Sequence, residues 1–148
     1  MKARDVMTKS PTCATPDARL EAIARMMIQC DCGGIPIVAE ESGLPLGIVT
    51  DRDIVVRTIA DGLDPLVLTA RDCMTTPAIV VSEDEDLRSV VDLLERRQLR
   101  RVIVVDSAGA VCGIIAQADV AVHASKRKTG ELLREVSHPV GAYSSITG

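Results

Sequence analysis

An internal repeat is the feature of this sequence that most constrains its fold. Ala3-Arg4-Asp5 recurs as Ala70-Arg71-Asp72, a shift of 67 residues, and a shift of 66 residues carries Asp53 onto Asp119. Matching positions keep their order along two stretches of about 60 residues each, which is typical of repeat architectures. The chain is therefore expected to consist of two copies of one small unit.

Local signals follow one another in the same order in each copy. Apolar residues spaced as on one face of a helix begin at Leu20 and at Leu87. Thr15-Pro16 and the pair Ser82 and Glu85 are cap signals that predict where these helices start. Two short β-type runs and a second helix come next, so each copy reads as strand, helix, strand, strand, helix.

One such unit has a helical stripe and a sheet face that it cannot bury alone. We therefore expect two units to pack back to back about a pseudo-two-fold axis, around one shared core. The side chains predicted to face inward are Leu20, Ile23, Met27, Leu87, Val90, Val91 and Leu94. Gly62 and Gly130 are predicted to end the second helices. The predicted divisions are residues 1–66, residues 67–128, and a tail over 129–148 with a short helix at 131–136.

Composition excludes several classes of function. The chain is 47% apolar and 26% charged, with a net charge of −4, which is typical of a soluble globular protein and argues against one that coats nucleic acid. It has one Tyr, Tyr143, and no Phe or Trp, so base stacking on aromatic rings is not expected. Because no apolar run approaches the ~20 residues of a membrane span and no hydrophobic signal segment follows Met1, we expect a cytoplasmic protein.

The five cysteines do not form a familiar metal pattern. Cys30 and Cys32 are separated by one residue, unlike the Cys-x-x-Cys spacing of zinc and redox sites. His123 and His138 lie far away in sequence. Buried or incidental thiols are the favoured interpretation, no metal site is predicted, and a redox role for Cys13 or Cys73 is left open.

The repeated motifs resemble the CBS domain family, named for cystathionine β-synthase. The matching elements are the opening Arg-Asp-Val-Met-Thr, the strand around Pro36, and the run from Gly47 to Asp53, whose glycine and aspartate recur as Gly113 and Asp119. Two copies resemble a Bateman module, and the chain is similar to small stand-alone bacterial CBS-pair proteins, including those of the hypoxic-response type. The resemblance implies an α+β fold of tandem CBS domains that form a disc-like homodimer.

The resemblance also implies that an adenosyl ligand such as AMP, ADP or ATP binds in a cleft between the repeats. The Asp53 carboxylate would accept hydrogen bonds from the two ribose hydroxyls, with the Thr50 hydroxyl nearby. Arg100 and Arg101 would bind phosphate. Two alternatives stay open: Thr50 and Asp53 also form a helix-capping sequence, and the arginines also fit a solvated basic surface.

The same resemblance implies two unequal clefts. Adenine in the first, around Asp53, would lie among Ile48, Ala78 and Ile79. The second, weaker cleft would comprise Asp119, Ile114, Pro11 and Thr12, with Arg52 as a substitute cation. It is expected to be weaker because Ala116 stands where the first copy has a threonine, and Gly33 and Gly34 stand where the second copy has arginines.

A non-catalytic regulatory module is the function these observations favour. His123 and His138 show no nucleophile–base pattern, so neither an enzyme nor a catalytic cofactor is expected. The expected partners are a small adenosyl ligand, a second copy of the chain and a downstream protein, without a membrane. An interaction or structural protein with vestigial clefts remains the alternative. A nucleic-acid binder that uses Arg96, Arg97 and the basic run at 126–128 is less favoured.

Overall fold

The computed structural model describes residues 1–134 as two similar α+β units. The first contains β1 (Thr8–Lys9), α1 (Leu20–Cys30), β2 (Gly34–Val38), β3 (Pro45–Thr50) and α2 (Asp51–Ile54). The second contains α3 (Ala70–Cys73), β4 (Val80–Ser82), α4 (Leu87–Arg97), β5 (Arg101–Val105), β6 (Val111–Ala116) and α5 (Gln117–Arg134). Short 3-10 turns lie at Ala3–Asp5 and Pro65–Val67.

The predicted starts of the first helix in each copy are wrong by a few residues. Thr15 accepts a backbone hydrogen bond from the Ala18 amide in a turn, and α1 begins only at Leu20. Ser82 lies in strand β4, so it cannot cap a helix. The cap of α4 is Asp86, whose carboxylate accepts from the Arg88 amide at 2.8 Å.

The ends of the second helices differ between the copies. Helix α2 continues as a π-helical turn at Val55–Ile59, and Gly62 follows with φ of +76°. Helix α5 instead runs through Gly130 to Arg134, so the predicted stop at Gly130 is wrong. A glycine inside a helix costs only about 1 kcal/mol and is often tolerated. The helix predicted over 131–136 is thus the end of α5 as far as Arg134, and its last two residues lie outside the described residues.

The two copies exchange their opening segments. Strand β1 of the first copy pairs antiparallel with β6 of the second, in a sheet of order β1-β6-β5-β4. In the reverse direction, Thr75 of the second copy pairs with Ile48 in β3, which is the antiparallel partner of β2. Each sheet is therefore completed at one edge by the other repeat, which fixes how the two units face each other.

Two glycines make this exchange sterically feasible. A Cβ added to Gly47 would collide with the Thr75 carbonyl oxygen, and one added to Gly113 would collide with the Met7 side chain. These glycines correspond to each other in the repeat, and each meets the opening segment of the opposite copy. A side chain at Gly47 would push the Thr75 backbone off the sheet, whereas one at Gly113 would force the Met7 side chain to move.

The apolar interior consists of two clusters, so the expectation of one shared core is wrong. The first is built on Leu20, Ile23, Ile35, Ile37 and Val49, and the second on Val81, Val90, Leu94, Val102, Val104 and Ile115. Ala70 and Cys73 of the second copy complete the first cluster, and Ala3 of the first copy completes the second. Of the side chains predicted to face inward, Leu20, Ile23, Val90 and Leu94 are buried as expected. The other three are only partly buried: Met27 and Leu87 pack at the margins of the clusters, and Val91 is half-buried.

Candidate functional site

Thr50 and Asp53 form a reciprocal capping box at the start of α2. The Asp53 amide donates to the Thr50 hydroxyl oxygen at 3.0 Å, and the Thr50 amide donates to Asp53 Oδ2 at 3.0 Å. The box arises because β3 ends directly at Thr50, leaving the first amides of the helix without partners. The capping alternative is therefore present in the structure, whatever else the two residues do.

The Asp53 carboxylate has further partners from other elements. The Thr75 hydroxyl lies 3.4 Å from both of its oxygens, and Arg57 Nε lies 3.9 Å from Oδ1. The Asp53 side chain is only 14% exposed. Most of its acceptor capacity is thus engaged within the protein.

Asp119 occupies the equivalent place at the start of α5 but has fewer partners. Its Oδ2 accepts from the Ala116 amide at 3.0 Å. Ala116 offers no hydroxyl group to return a hydrogen bond. Among the residues that the structure describes, this amide is the one hydrogen-bond donor recorded for the Asp119 carboxylate. One carboxylate oxygen therefore remains available to a ligand.

A cavity of about 260 Å³ opens at Asp119, between the two repeats. It lies where β1 meets β6 and where the turn after α1 approaches β5. Four of the residues predicted for the second cleft line it, and Arg101, predicted for the first, joins them. The lining residues are Thr8, Pro11, Thr12, Cys30, Asp31, Cys32, Gly33, Gly34, Arg101, Ile114, Ala116 and Asp119.

Arg101 reaches this cavity because two glycines leave room for its side chain. Its Cδ lies 2.9 Å from the position of a Cβ added to Gly34, and its guanidinium would collide with a Cβ added to Gly33. Arg101 is also the strand partner of Ala116 across β5 and β6, which holds it on the same wall as Asp119. The glycines that seemed to remove charge from the second cleft thus give Arg101 access to it.

The other predicted site residues do not line this cavity. Ile48 is half-buried beside Thr75 and Gly34, and Ile79 packs against the second core cluster. Ala78 is half-buried one residue earlier. Arg100 and Arg52 are exposed, and neither lines the cavity. The structure therefore brings together Asp119, Ile114, Pro11, Thr12 and Arg101. Thr50 and Asp53 lie elsewhere, next to Thr75, which also pairs with Ile48.

The sequence interpretation missed Thr8 and the turn Cys30-Asp31-Cys32. Thr8 is the repeat counterpart of Thr75, but its place beside Asp119 depends on the exchange of opening segments, which no local pattern signals. The two cysteines are joined by a disulfide, a pairing that the sequence analysis did not propose. Their place on the cavity wall follows from the end of α1 lying against β5 and β6.

The remaining cysteines are free thiols of low acidity. Burial, reinforced by the nearby Asp53 carboxylate, raises the pKa of Cys73 to about 11. Burial, together with a 3.2 Å hydrogen bond to Glu83, likewise raises the pKa of Cys112 to about 11. Burial also raises the pKa of Cys13. Thiols of this kind react slowly because the thiolate is the reactive form.

Two further observations concern the described residues alone. Among the side chains that the structure describes, which leave out those of residues 125 and 127–134, no group of three or more His, Cys, Asp or Glu could hold a metal ion. Within residues 1–134, no helix has the length and apolar character needed to cross a membrane.

Both repeats match the family model of the CBS domain, over residues 3–58 and 70–126. The chain therefore belongs to the CBS domain family, and the exchanged sheets described above make it a tandem CBS pair. It is similar to hypoxic response protein 1 of Mycobacterium tuberculosis, with 32% identity over 142 residues that cover 96% of this chain and 98% of that protein.

Solved structures agree with this assignment. The crystal structure of hypoxic response protein I with two coordinated zinc ions aligns with a TM-score of 0.72 and 33% identity, covering 83% of this chain and 98% of that one. The CBS domain pair of protein MJ0100 in complex with 5′-methylthioadenosine and S-adenosyl-L-methionine aligns with a TM-score of 0.77 and 25% identity, covering 86% and 98%. The predicted family and the α+β tandem fold are confirmed.

Proposed function

We propose that this protein is a non-catalytic regulatory module that binds an adenosyl ligand in the Asp119 cavity. The observation that carries the proposal is the convergence of one carboxylate, one guanidinium and an apolar wall on a single cavity between the repeats. The MJ0100 pair, which holds two adenosyl compounds, supports the choice of ligand class. The signal would pass to a downstream protein through a change in how the two repeats pack.

Asp119 is suited to the ribose. A carboxylate offers two acceptor oxygens to the two donors of a cis-diol. Since the Ala116 amide already occupies Oδ2 and orients the group, the other oxygen can accept from a ribose hydroxyl without breaking an internal bond. Charge-assisted hydrogen bonds of this kind are stronger than neutral ones.

The base has an aliphatic pocket. Ile114, Pro11 and Thr12 line one part of the cavity, and the backbone of Gly33 and Gly34 lines another. A volume of about 260 Å³ lies just below the ~300–1,000 Å³ of typical small-molecule sites, so a nucleoside-sized ligand fits better than a large one. Stacking on an aromatic ring is not available in the described residues, so affinity would come from aliphatic contact and hydrogen bonds.

Arg101 supplies a cation to the same cavity. A guanidinium is charged at all physiological pH values and can donate two hydrogen bonds to one phosphate. Its half-buried position strengthens such a contact relative to one in open solvent. The site therefore suits a small adenosyl ligand with an anionic group, such as AMP, better than the larger ADP or ATP.

The Asp53 cleft remains a second proposed site, formed by Thr50, Asp53, Ile48, Ala78 and Ile79, with the exposed Arg100 at its margin. Its carboxylate already accepts from the Thr50 amide and lies within reach of Thr75 and Arg57. A ligand there has to displace or share these contacts. We therefore propose the reverse of the order that the sequence suggested, with the Asp119 cavity binding more tightly.

Calorimetric titration with adenosine, AMP, ADP, ATP, 5′-methylthioadenosine and S-adenosyl-L-methionine tests the proposal, with GMP as the base control. At least one adenosyl compound is expected to bind, and Asp119→Asn is expected to weaken it. If none binds at millimolar concentration, the clefts are vestigial and the chain is better regarded as an interaction protein. No zinc site is proposed, because the described residues offer no suitable ligand group.

We further propose that a second copy of the chain covers the apolar side of the α2 region. Val55, Val56, Ile59, Leu63, Leu66 and Val67 are between 44% and 70% exposed. Val122 on α5, the repeat counterpart of Val56, is 55% exposed, so both pseudo-equivalent helices present apolar side chains. Contiguous exposed apolar surface marks an interaction site, and a two-fold dimer is the commonest closed solution.

A further inference from the structure

The turn that follows α1 brings two cysteines onto the wall of the ligand cavity. Helix α1 ends at Cys30, and Asp31 adopts a left-handed conformation with φ of +50°. The Cys32 amide then donates to the Met27 carbonyl at 3.0 Å, which closes the helix end. This geometry places the two cysteine Cα atoms 5.4 Å apart, within the usual range for a disulfide.

The pair is open to solution and faces functional groups at the same time. Cys30 is exposed and Cys32 is half-buried, so the pair lies at the protein surface. Both residues line the cavity that also contains Asp119 and Arg101. Gly33, over which the Arg101 guanidinium lies, comes directly after Cys32 in the chain. A change at the sulfur atoms is therefore transmitted to the groups proposed to hold the ligand.

The other three cysteines do not share these properties. Cys73 is buried, and Cys112 is hydrogen-bonded to Glu83. Cys13 points its sulfur at the Pro11 carbonyl, 3.4 Å away. None of the three is paired in the described residues. Thiol chemistry with small oxidants is thus expected at Cys30 and Cys32 before any other position.

We propose that Cys30 and Cys32 form a redox-modification site whose thiol or disulfide state sets the affinity of the Asp119 cavity for its ligand. The reaction is exchange with a small-molecule disulfide. One cysteine thiolate attacks that disulfide and releases one small thiol. The second cysteine then attacks the mixed disulfide and releases the other small thiol, so two protein thiols are oxidised and one external disulfide is reduced. In a reducing compartment the pair would rest as a dithiol, and its oxidation would report a change in redox conditions.

Reduction changes the cavity wall because bonded and unbonded sulfur atoms need different space. A disulfide holds its sulfurs at about 2.05 Å, whereas two thiols stay at a non-bonded separation of roughly 3.5–4 Å. The turn widens to make this room, or a sulfur rotates into the cavity or into solvent. Each of these movements changes the wall that Cys30 and Cys32 form beside Gly33 and Arg101, so the oxidised form, which holds the wall in the described arrangement, is the tighter binder.

The coupling is reciprocal by thermodynamic linkage. If oxidation strengthens ligand binding by a given factor, bound ligand shifts the dithiol–disulfide equilibrium toward the disulfide by the same factor. The affinity part of this inference rests on the function proposed above, whereas the chemistry of the cysteine pair does not.

The test compares the intact protein after equilibration with oxidised glutathione, a linear small-molecule disulfide, or with reduced dithiothreitol. Mass spectrometry after alkylation counts the thiols and should show that Cys30 and Cys32 alone change state. Titration with AMP should give an affinity about fivefold higher for the oxidised protein. Cys30→Ser with Cys32→Ser should abolish the difference, whereas Cys112→Ser, at a cysteine outside the cavity, should retain it.

Amide NMR spectra test the effect of the cysteine pair on the cavity wall independently of whether a ligand binds. If AMP and the other adenosyl compounds fail to bind, the proposed function is wrong, but shifts of the Gly33, Gly34 and Ala116 amides between the two redox forms still show the coupling. If AMP binds equally to both forms and these amides do not shift, the inference is overturned. It is also overturned if alkylation shows that the pair does not form a disulfide.

Discussion

The guanidinium of Arg101 occupies the space that a side chain at Gly33 would need. The two residues belong to different repeats, and their contact brings a permanent positive charge over the start of β2. Gly33 is therefore a position where the absence of a side chain serves the site.

The first prediction is that Gly33→Ala displaces Arg101. The colliding atoms are the far end of a flexible side chain, so the change should cost less than about 1 kcal/mol of stability. AMP affinity should fall, while adenosine affinity should change little. Titrations on Gly33→Ala, Arg101→Gln and the double variant check this as a thermodynamic cycle. Strictly additive effects would contradict the contact, because residues in contact are expected to couple.

The second prediction separates the two arginines. Arg101→Gln should remove the preference for AMP over adenosine, since a hydrogen bond to a charged group contributes roughly 1.5–3 kcal/mol. That preference should also weaken as salt is raised, because added ions screen an open site. Arg100→Gln is the matched control: Arg100 is exposed, adjacent and outside the cavity. Equal losses in both variants would indicate a diffuse surface charge.

The third prediction compares Asp119 with Asp53. Asp119→Asn should weaken adenosyl ligands about tenfold or more, with little loss of stability, because it removes a charged acceptor of the ribose. Asp53→Asn should instead lower stability by about 1 kcal/mol, since only that carboxylate also lies beside the Arg57 guanidinium and the Thr75 hydroxyl. Calorimetry and thermal unfolding measure the two effects. A larger affinity loss in Asp53→Asn would restore the order that the sequence suggested.

Much of the fold was predictable because the repeat constrains it. Apolar runs followed by turn residues predict four strands, and the structure places them as expected. They are the strands around Ile35, Val49, Val102 and Ile115. The starts of the helices were not predictable in this way, because Ser82 satisfies the capping pattern while its backbone pairs in a strand. A residue such as Ser82 can cap a helix or pair in a strand, and a local sequence pattern cannot show which of the two the tertiary structure selects.

The site was less predictable than the fold. Asp119, Ile114, Pro11 and Thr12, which the sequence groups in one cleft, line one cavity, and Arg101, which the sequence assigns to the other cleft, lines the same cavity. The reason is the exchange of opening segments, which decides which wall faces which cleft and depends on pairing over about 100 residues of sequence. The disulfide was missed because a Cys-x-Cys spacing resembles neither a zinc site nor the usual redox motif.

The fourth prediction concerns the second core cluster. Leu94 is only 2% exposed and packs where α4 meets the second sheet, so Leu94→Ala should cost about 2–5 kcal/mol of unfolding free energy. Leu44→Ala is the control, because that side chain is 43% exposed. Denaturant unfolding measures both variants. A loss below about 1 kcal/mol for Leu94→Ala would show that this cluster does not stabilise the fold as described.

The last prediction concerns assembly. If a second copy covers the exposed apolar side chains of the α2 region, light scattering at micromolar concentration should report about twice the chain mass of 15.8 kDa. Ile59→Glu with Val56→Glu should give a folded monomer, because burying a carboxylate against an apolar partner carries a large desolvation penalty. Leu44→Glu is the matched control, since Leu44 is 43% exposed in the turn between β2 and β3, and its variant should remain dimeric. A wild-type protein that stays monomeric, or a double variant that stays dimeric, would show that the α2 side chains do not form the interface.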